Sequence, residues 1–107
     1  MPPTPLRVVL CTCPPDAAAQ IARVLLEEKL VACVNIVPGV KSLYWWKDAV
    51  AEDTEALMVI KTPAHLYDRL EVRLAELHPY EVPEILGLDA EHGAEPYVSW
   101  VLDSTAS

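Results

Sequence analysis

Apolar and polar residues change their spacing several times along the chain, and each change marks an element. Residues 6–13 form a short apolar run with β-branched side chains, closed by Pro14-Pro15-Asp16, which predicts a first strand. Over 17–30, Ala18, Ile21, Ala22 and Leu25 recur on one helical face; Pro14 or Pro15 suits the first turn, and Asp16 there complements the helix dipole. Residues 31–46 are rich in valine, tyrosine and tryptophan and predict a strand about three times the usual length. Pro38-Gly39 interrupts it, which implies a bend or bulge, because proline cannot donate to a ladder and glycine tolerates unusual dihedrals.

A polar stretch, 47–53, is the expected hairpin connection, and 55–61 the near-continuously apolar return strand. Thr62-Pro63 signals a helix start, with Leu66, Leu70, Leu74 and Leu77 at helical spacing and His78-Pro79 as the stop. A fourth strand is predicted over 82–88 with Pro83 near its beginning, and a loop over 89–93. Pro96 then opens a short helix in which Tyr97, Trp100 and Val101 share a face. The order β-α-β-β-α-β plus a terminal helix predicts one α+β domain over 1–107 of the ferredoxin-like kind, with 1–5 and 104–107 loose. Its sheet is antiparallel, its second and third strands form an extended hairpin, and both long helices lie on one face.

Composition sharpens this picture in two ways. The 52% hydrophobic content and mean hydropathy of +0.21 are high for 107 residues, yet the longest apolar runs are far too short to cross a membrane. Excess apolar surface on a small domain leads to oligomerisation, and three protomers whose long hairpins reach across one another would cover the bare sheet face. Sixteen acidic against eight basic side chains give a net charge of −8, which argues against nucleic acid and anionic membranes as partners. No basic region precedes a hydrophobic segment at the N-terminus, and three cysteines are an odd number, so reduced thiols and a cytoplasmic location are expected. A domain of this size folds without needing a metal.

With the elements in place, the sequence resembles the CutA family of divalent-cation tolerance proteins over nearly its whole length. The resemblance is carried by Val9-Leu10-Cys11-Thr12, Leu30-Val31-Ala32-Cys33-Val34-Asn35-Ile36-Val37-Pro38-Gly39, Ser42-Leu43-Tyr44-Trp45-Trp46, Lys61-Thr62, His78-Pro79-Tyr80-Glu81-Val82-Pro83-Glu84-Ile85 and Tyr97-Val98-Ser99-Trp100. It implies a cytoplasmic homotrimer built like the PII signalling proteins and a link to tolerance of copper or other divalent metals, without defining a reaction. The copper ligands it implies are the first-strand cysteine, matching Cys11, and two adjacent histidines, of which His78 is present and the other is replaced by Leu77.

Two groups of residues are candidates for chemistry. Cys11, Cys13 and His78 carry the thiol and imidazole donors that copper prefers, and strand alternation places both cysteines on one side, so that Cys13 could substitute for the missing ligand. Their structural account is equally simple: small buried hydrophobes and a basic side chain at a helix end. The second group, Tyr44, Trp45, Lys61, Tyr80, Glu84 and Trp100, suits an inter-subunit cleft for a small polar ligand, or else the aromatic core of a trimer interface. The sequence has no nucleophile elbow and no glycine-rich phosphate loop, and only 3 glycines in all, so a binding protein is expected rather than an enzyme. Its alternative role is a PII-like signalling trimer that takes a metabolite or a partner protein in its clefts.

Overall fold

The computed structural model describes residues 4–106. The chain runs β1 (Leu6–Cys13), α1 (Ala18–Glu27), β2 (Cys33–Trp46), β3 (Ala49–Pro63), α2 (Tyr67–Leu77), β4 (Leu86–Asp89) and α3 (Glu95–Thr105). The four strands form one antiparallel sheet in the order β2-β3-β1-β4, the ferredoxin-like arrangement. Val9, Cys11 and Cys13 of β1 and Ala56, Met58 and Ile60 of β3 point to one face. There they pack against Ala18, Ile21 and Leu25 of α1 and Leu70 and Leu74 of α2. Gly87 in β4 belongs to this face, and a methyl group added there would meet the Tyr67 ring at 2.6 Å, so the missing side chain lets α2 approach the sheet edge.

The opposite face is less covered. Val8, Leu10, Leu57 and Val59 are half-buried, while Val37, Leu86 and Leu88 are exposed, so an apolar surface runs across all four strands. At one end of this face α3 closes a small second core of Leu6, Ala32 and Val101. The β2–β3 ribbon extends beyond the rest of the sheet and gives the molecule its 44 × 28 × 23 Å shape.

Several sequence expectations are corrected at element ends. The ribbon turns on two residues, Lys47 and Asp48 at φ 50° and 64°, and not on a loop over 47–53. Two successive positive φ values make the tight turn whose twist matches that of paired strands, so pairing continues to the tip. Helix α1 stops at Glu27, short of residue 30, because Lys29 takes a left-handed conformation at φ 58°; Leu30 N then donates to Leu25 O at 3.1 Å and Lys29 N to Leu26 O at 3.0 Å. Asp16 lies before the helix and places no acid in its first turn.

Thr62 caps no helix. It belongs to β3, and its Oγ1 donates to Leu30 O at 2.7 Å, after which a 3-10 turn, Ala64–Leu66, leads into α2. The fourth strand is only Leu86–Asp89, because the region around Pro83, which has no N–H to donate, leaves the ladder. The ends are also better held than expected. Thr4 Oγ1 donates to Ala90 O, Ala64 N donates to Pro5 O at 2.7 Å, and α3 continues to the buried Thr105, whose Oγ1 donates to Val101 O at 3.0 Å. The rest of the expected loose ends, 1–3 and 107, lies outside the described residues.

The interruption at Pro38-Gly39 is a bulge. Val37 pairs with Leu57 but Val40 pairs with Glu55, so three steps on β2 match two on β3, with Gly39 at φ 68°. Nothing lies within 4 Å of a methyl group added at Gly39. Gly39→Ala therefore costs only the left-handed backbone penalty, about 1 kcal/mol of unfolding free energy. Urea denaturation checks this, and a loss below about 0.3 kcal/mol contradicts the conformational account.

Candidate functional site

The cysteines and the histidine of the expected metal site lie on β1 and at the end of α2, two elements joined by the His78 bond to the Thr12 carbonyl. Cys11 and Cys13 are fully buried on the helix-bearing face of β1, paired with Met58 and Ala56. Burial, first, and the neighbouring Cys13, Glu84 and Glu55 push the Cys11 thiol up to about 12, and burial followed by Glu55 and Asp16 raises Cys13. Both are thiols at neutral pH, whereas the metal ligand is the thiolate.

His78 caps the C-terminus of α2 with only 7% exposure. Its Nδ1 accepts from the Tyr80 backbone N–H at 3.1 Å, and its Nε2 is 2.7 Å from Thr12 O. An acceptor at Nδ1 and a carbonyl at Nε2 fix one neutral tautomer, with Nε2–H donating to Thr12. Neither nitrogen has a lone pair to spare for a metal. Leu77, at the replaced histidine, packs against the core. Among the described residues no three His, Cys, Asp or Glu side chains are grouped to hold a metal ion. Cys11, Cys13 and His78 in this arrangement do not fit copper; His78 instead ties the end of α2 to β1 through the Thr12 carbonyl.

That tie also shapes a cleft. After His78 the chain leaves the helix through residues 79–84 and faces the β2–β3 ribbon across a space of about 880 Å³. Thr12, Ser42, Tyr44, Trp46, Asp53, Glu55, Tyr80 and Glu84 are among its lining residues. Tyr80 OH donates to Glu55 Oε2 at 2.8 Å, which holds the loop to β3, and Tyr44 OH donates to Asp53 across the ribbon. Burial, then the bond to Glu55, raises the Tyr80 phenol well above its usual range; the bond to Asp53, then burial, raises Tyr44. Both rings remain neutral donors. The His78 and Tyr80 rings sit 4.8 Å apart, so the metal-site candidate serves as a support for the cleft wall.

The bulge decides which residues reach this cleft. Before it, Cys33, Asn35 and Val37 share the face opposite the helices; after it, Val40, Ser42, Tyr44 and Trp46 share that face, together with Asp53 and Glu55. Trp45 touches the cleft but, by strand alternation, belongs to the other side of the ribbon and is 75% exposed. Of the six residues expected at an inter-subunit cleft, Tyr44, Trp45, Tyr80 and Glu84 line this space within a single chain. Lys61 lies six positions along β3 from Glu55, roughly 20 Å at the strand rise, where it donates to Asn35 Oδ1 and to Val59 O at 3.3 Å. Trp100 is on α3 beside Tyr97, with ring centroids 5.7 Å apart. The sequence reading missed Thr12, Asp53, Glu55 and Trp46. A signal for Glu55 was available in the charge that opens an otherwise apolar run, but its burial depends on Tyr80, a distant residue.

Fold and cleft together define a small ferredoxin-like α+β protein with an open apolar sheet face and an acidic, aromatic cleft beside a long β-ribbon. The chain belongs to the CutA1 divalent ion tolerance protein family, whose model matches residues 7–104. It is 46% identical over 99 residues to the divalent-cation tolerance protein CutA of Thermus thermophilus, covering 92% of this chain and 96% of that protein. Protein CutA of Mus musculus is 42% identical over 106 residues, with 98% of this chain covered, although the match spans 60% of the mouse protein. The crystal structure of CutA1 from Oryza sativa superposes with a TM-score of 0.92 at 41% identity, covering 97% of this chain and 96% of that one.

The buried, neutral state of Cys11 and Cys13 has a direct consequence. Iodoacetamide at pH 8 is expected to leave both unmodified in the native protein and to alkylate them only at the rate at which the chain unfolds, as read by mass spectrometry of digests. Rapid native labelling of Cys11 contradicts its placement.

Proposed function

We propose that the chain is a non-enzymatic, cytoplasmic homotrimer that takes part in the response to divalent cations. Membership of the CutA1 family supports the cation-linked role. The observation that carries the assembly is the apolar sheet face formed by Val8, Leu10, Val37, Leu57, Val59, Leu86 and Leu88, which α3 covers only at one end and on which Val37, Leu86 and Leu88 stay exposed. Burying such a face is worth about 25 cal/mol per Å², and a long ribbon projecting past the sheet suits exchange between neighbours. No helix among the described residues is long and apolar enough to cross a membrane. Sedimentation equilibrium is expected to give about three times the 11.8 kDa of one chain, and Leu88→Glu to dissociate the assembly; a monomeric wild type rejects the reading.

The cation response, in this reading, does not run through Cys11 and His78. Calorimetric titration of the reduced protein with copper is expected to give the same affinity for wild type, Cys11→Ala and His78→Ala. A tenfold or greater loss in both variants would instead place the metal there. A second reading, a PII-like signalling trimer that binds a small metabolite, is favoured by the cleft between the ribbon and residues 79–84, whose volume of about 880 Å³ is that of a small-molecule site.

A further inference from the structure

His78 is buried, whereas His65 and His92 are exposed. Its two ring nitrogens hold two separate parts of the chain. Nε2–H donates to the Thr12 carbonyl of β1 at 2.7 Å, and Nδ1 accepts from the Tyr80 N–H at 3.1 Å. The second bond exists only while Nδ1 carries no proton, because a proton there would face another N–H. Histidine changes charge between about pH 5 and 8, so one of its two states breaks a backbone contact at this position.

That contact is one of two on which the turn after α2 depends. Residues 79–84 lie outside the helices and the sheet ladder. Their hydrogen bonds to the rest of the chain, among the described residues, are the Tyr80 amide to His78 and the Tyr80 hydroxyl to Glu55 Oε2 at 2.8 Å. Both belong to one residue, and the His78 and Tyr80 rings pack with centroids 4.8 Å apart. Displacing the Tyr80 amide therefore pulls on the hydroxyl as well, and a break there costs the buried Glu55 its donor. The turn is held or released as a unit.

We propose that His78 is a pH-sensitive latch for residues 79–84: the neutral ring holds the turn against β1 and β3, and protonation at Nδ1 releases it. The proton takes the lone pair that accepted from Tyr80, while the Nε2–H bond to Thr12 is kept. The latch is closed above the histidine range and opens as pH falls through it, so the cleft wall is assembled at neutral pH. The surrounding groups permit the open state. β1 contributes the neutral thiols Cys11 and Cys13, β3 contributes Glu55, the turn itself Tyr80, Glu81 and Glu84, and the segment before α1 Asp16; Glu55, Glu84 and Asp16 are close enough to raise one or other of the two thiols. On α2, Glu76 is two residues back, and Arg73 is occupied by Glu28 and Glu76. The acids favour an imidazolium once the ring has turned away from the Tyr80 N–H.

The test follows histidine ring nitrogen shifts and amide hydrogen exchange of the full-length protein by NMR between pH 7.5 and 5. At pH 7.5 the His78 ring is expected to show the Nε2–H tautomer. As it takes up its second proton, the protection factor of the Tyr80 amide is expected to fall by about tenfold, the equivalent of one hydrogen bond, in step with the ring signal. The Val9 and Ile60 amides, in the centre of the sheet, are expected to change by less than about twofold. His78→Asn places an oxygen that does not titrate where Nδ1 was, and is expected to hold the Tyr80 protection within about twofold across the same range; His92→Gln is expected to behave as the wild type. A tenfold loss in His78→Asn as well assigns the pH dependence to the carboxylates and overturns the latch. Should His78→Asn fail to fold, the wild type decides alone: a ring that takes its proton with Tyr80 protection unchanged, or one that stays neutral down to pH 5, overturns the proposal.

Discussion

One extra residue in β2 governs where the polar and aromatic side chains of this protein go. Strand faces alternate with a period of two, so without the bulge at Pro38-Gly39 the residues continuing the face of Cys33, Asn35 and Val37 would be the odd-numbered ones. The inserted residue shifts the parity, and Tyr44 and Trp46 come to share a face with Asp53 and Glu55. Gly39 makes the shift inexpensive because it takes the left-handed conformation without a side-chain clash. The make-up of the cleft face rests on this local irregularity.

The other wall is fixed by a relay of hydrogen bonds from one element to the next. His78 bonds the Thr12 carbonyl of β1 and the Tyr80 amide, and Tyr80 in turn bonds Glu55 of β3. Residues 79–85 have no place in the sheet ladder and contain Pro79 and Pro83, so these side-chain bonds supply the order that a strand would have given. A ring whose two nitrogens are both committed is a good strut and a poor ligand. The same residue that resembles a metal donor in sequence is a structural tie in three dimensions.

The name of the CutA1 family concerns tolerance of divalent ions, which is a response and leaves open which atoms meet the ion. In this chain the thiols of Cys11 and Cys13 are part of the core, at 0% exposure, and a buried neutral thiol contributes packing before it contributes coordination. The open sheet face is the surface left with an unmet physical demand, because it exposes apolar area.

The sequence by itself determined the order of elements, the helical faces, the long ribbon and the family, because each is written in local periodicity or in runs of contiguous residues. It also marked Pro38-Gly39 as the irregular point. Element ends were misread where backbone conformation overrides composition: Lys29, Lys47 and Asp48 all take positive φ, which their residue types do not announce. Only the tertiary structure decided that Trp46 shares the cleft face with Tyr44, that Glu55 is buried against Tyr80, that Lys61 and Trp100 lie elsewhere, and that both nitrogens of His78 are in use. Each depends on register or on a contact between residues far apart in the chain, such as Glu55 with Tyr80 and Thr12 with His78, and a one-residue shift in pairing is invisible to pattern yet reverses every side chain beyond it.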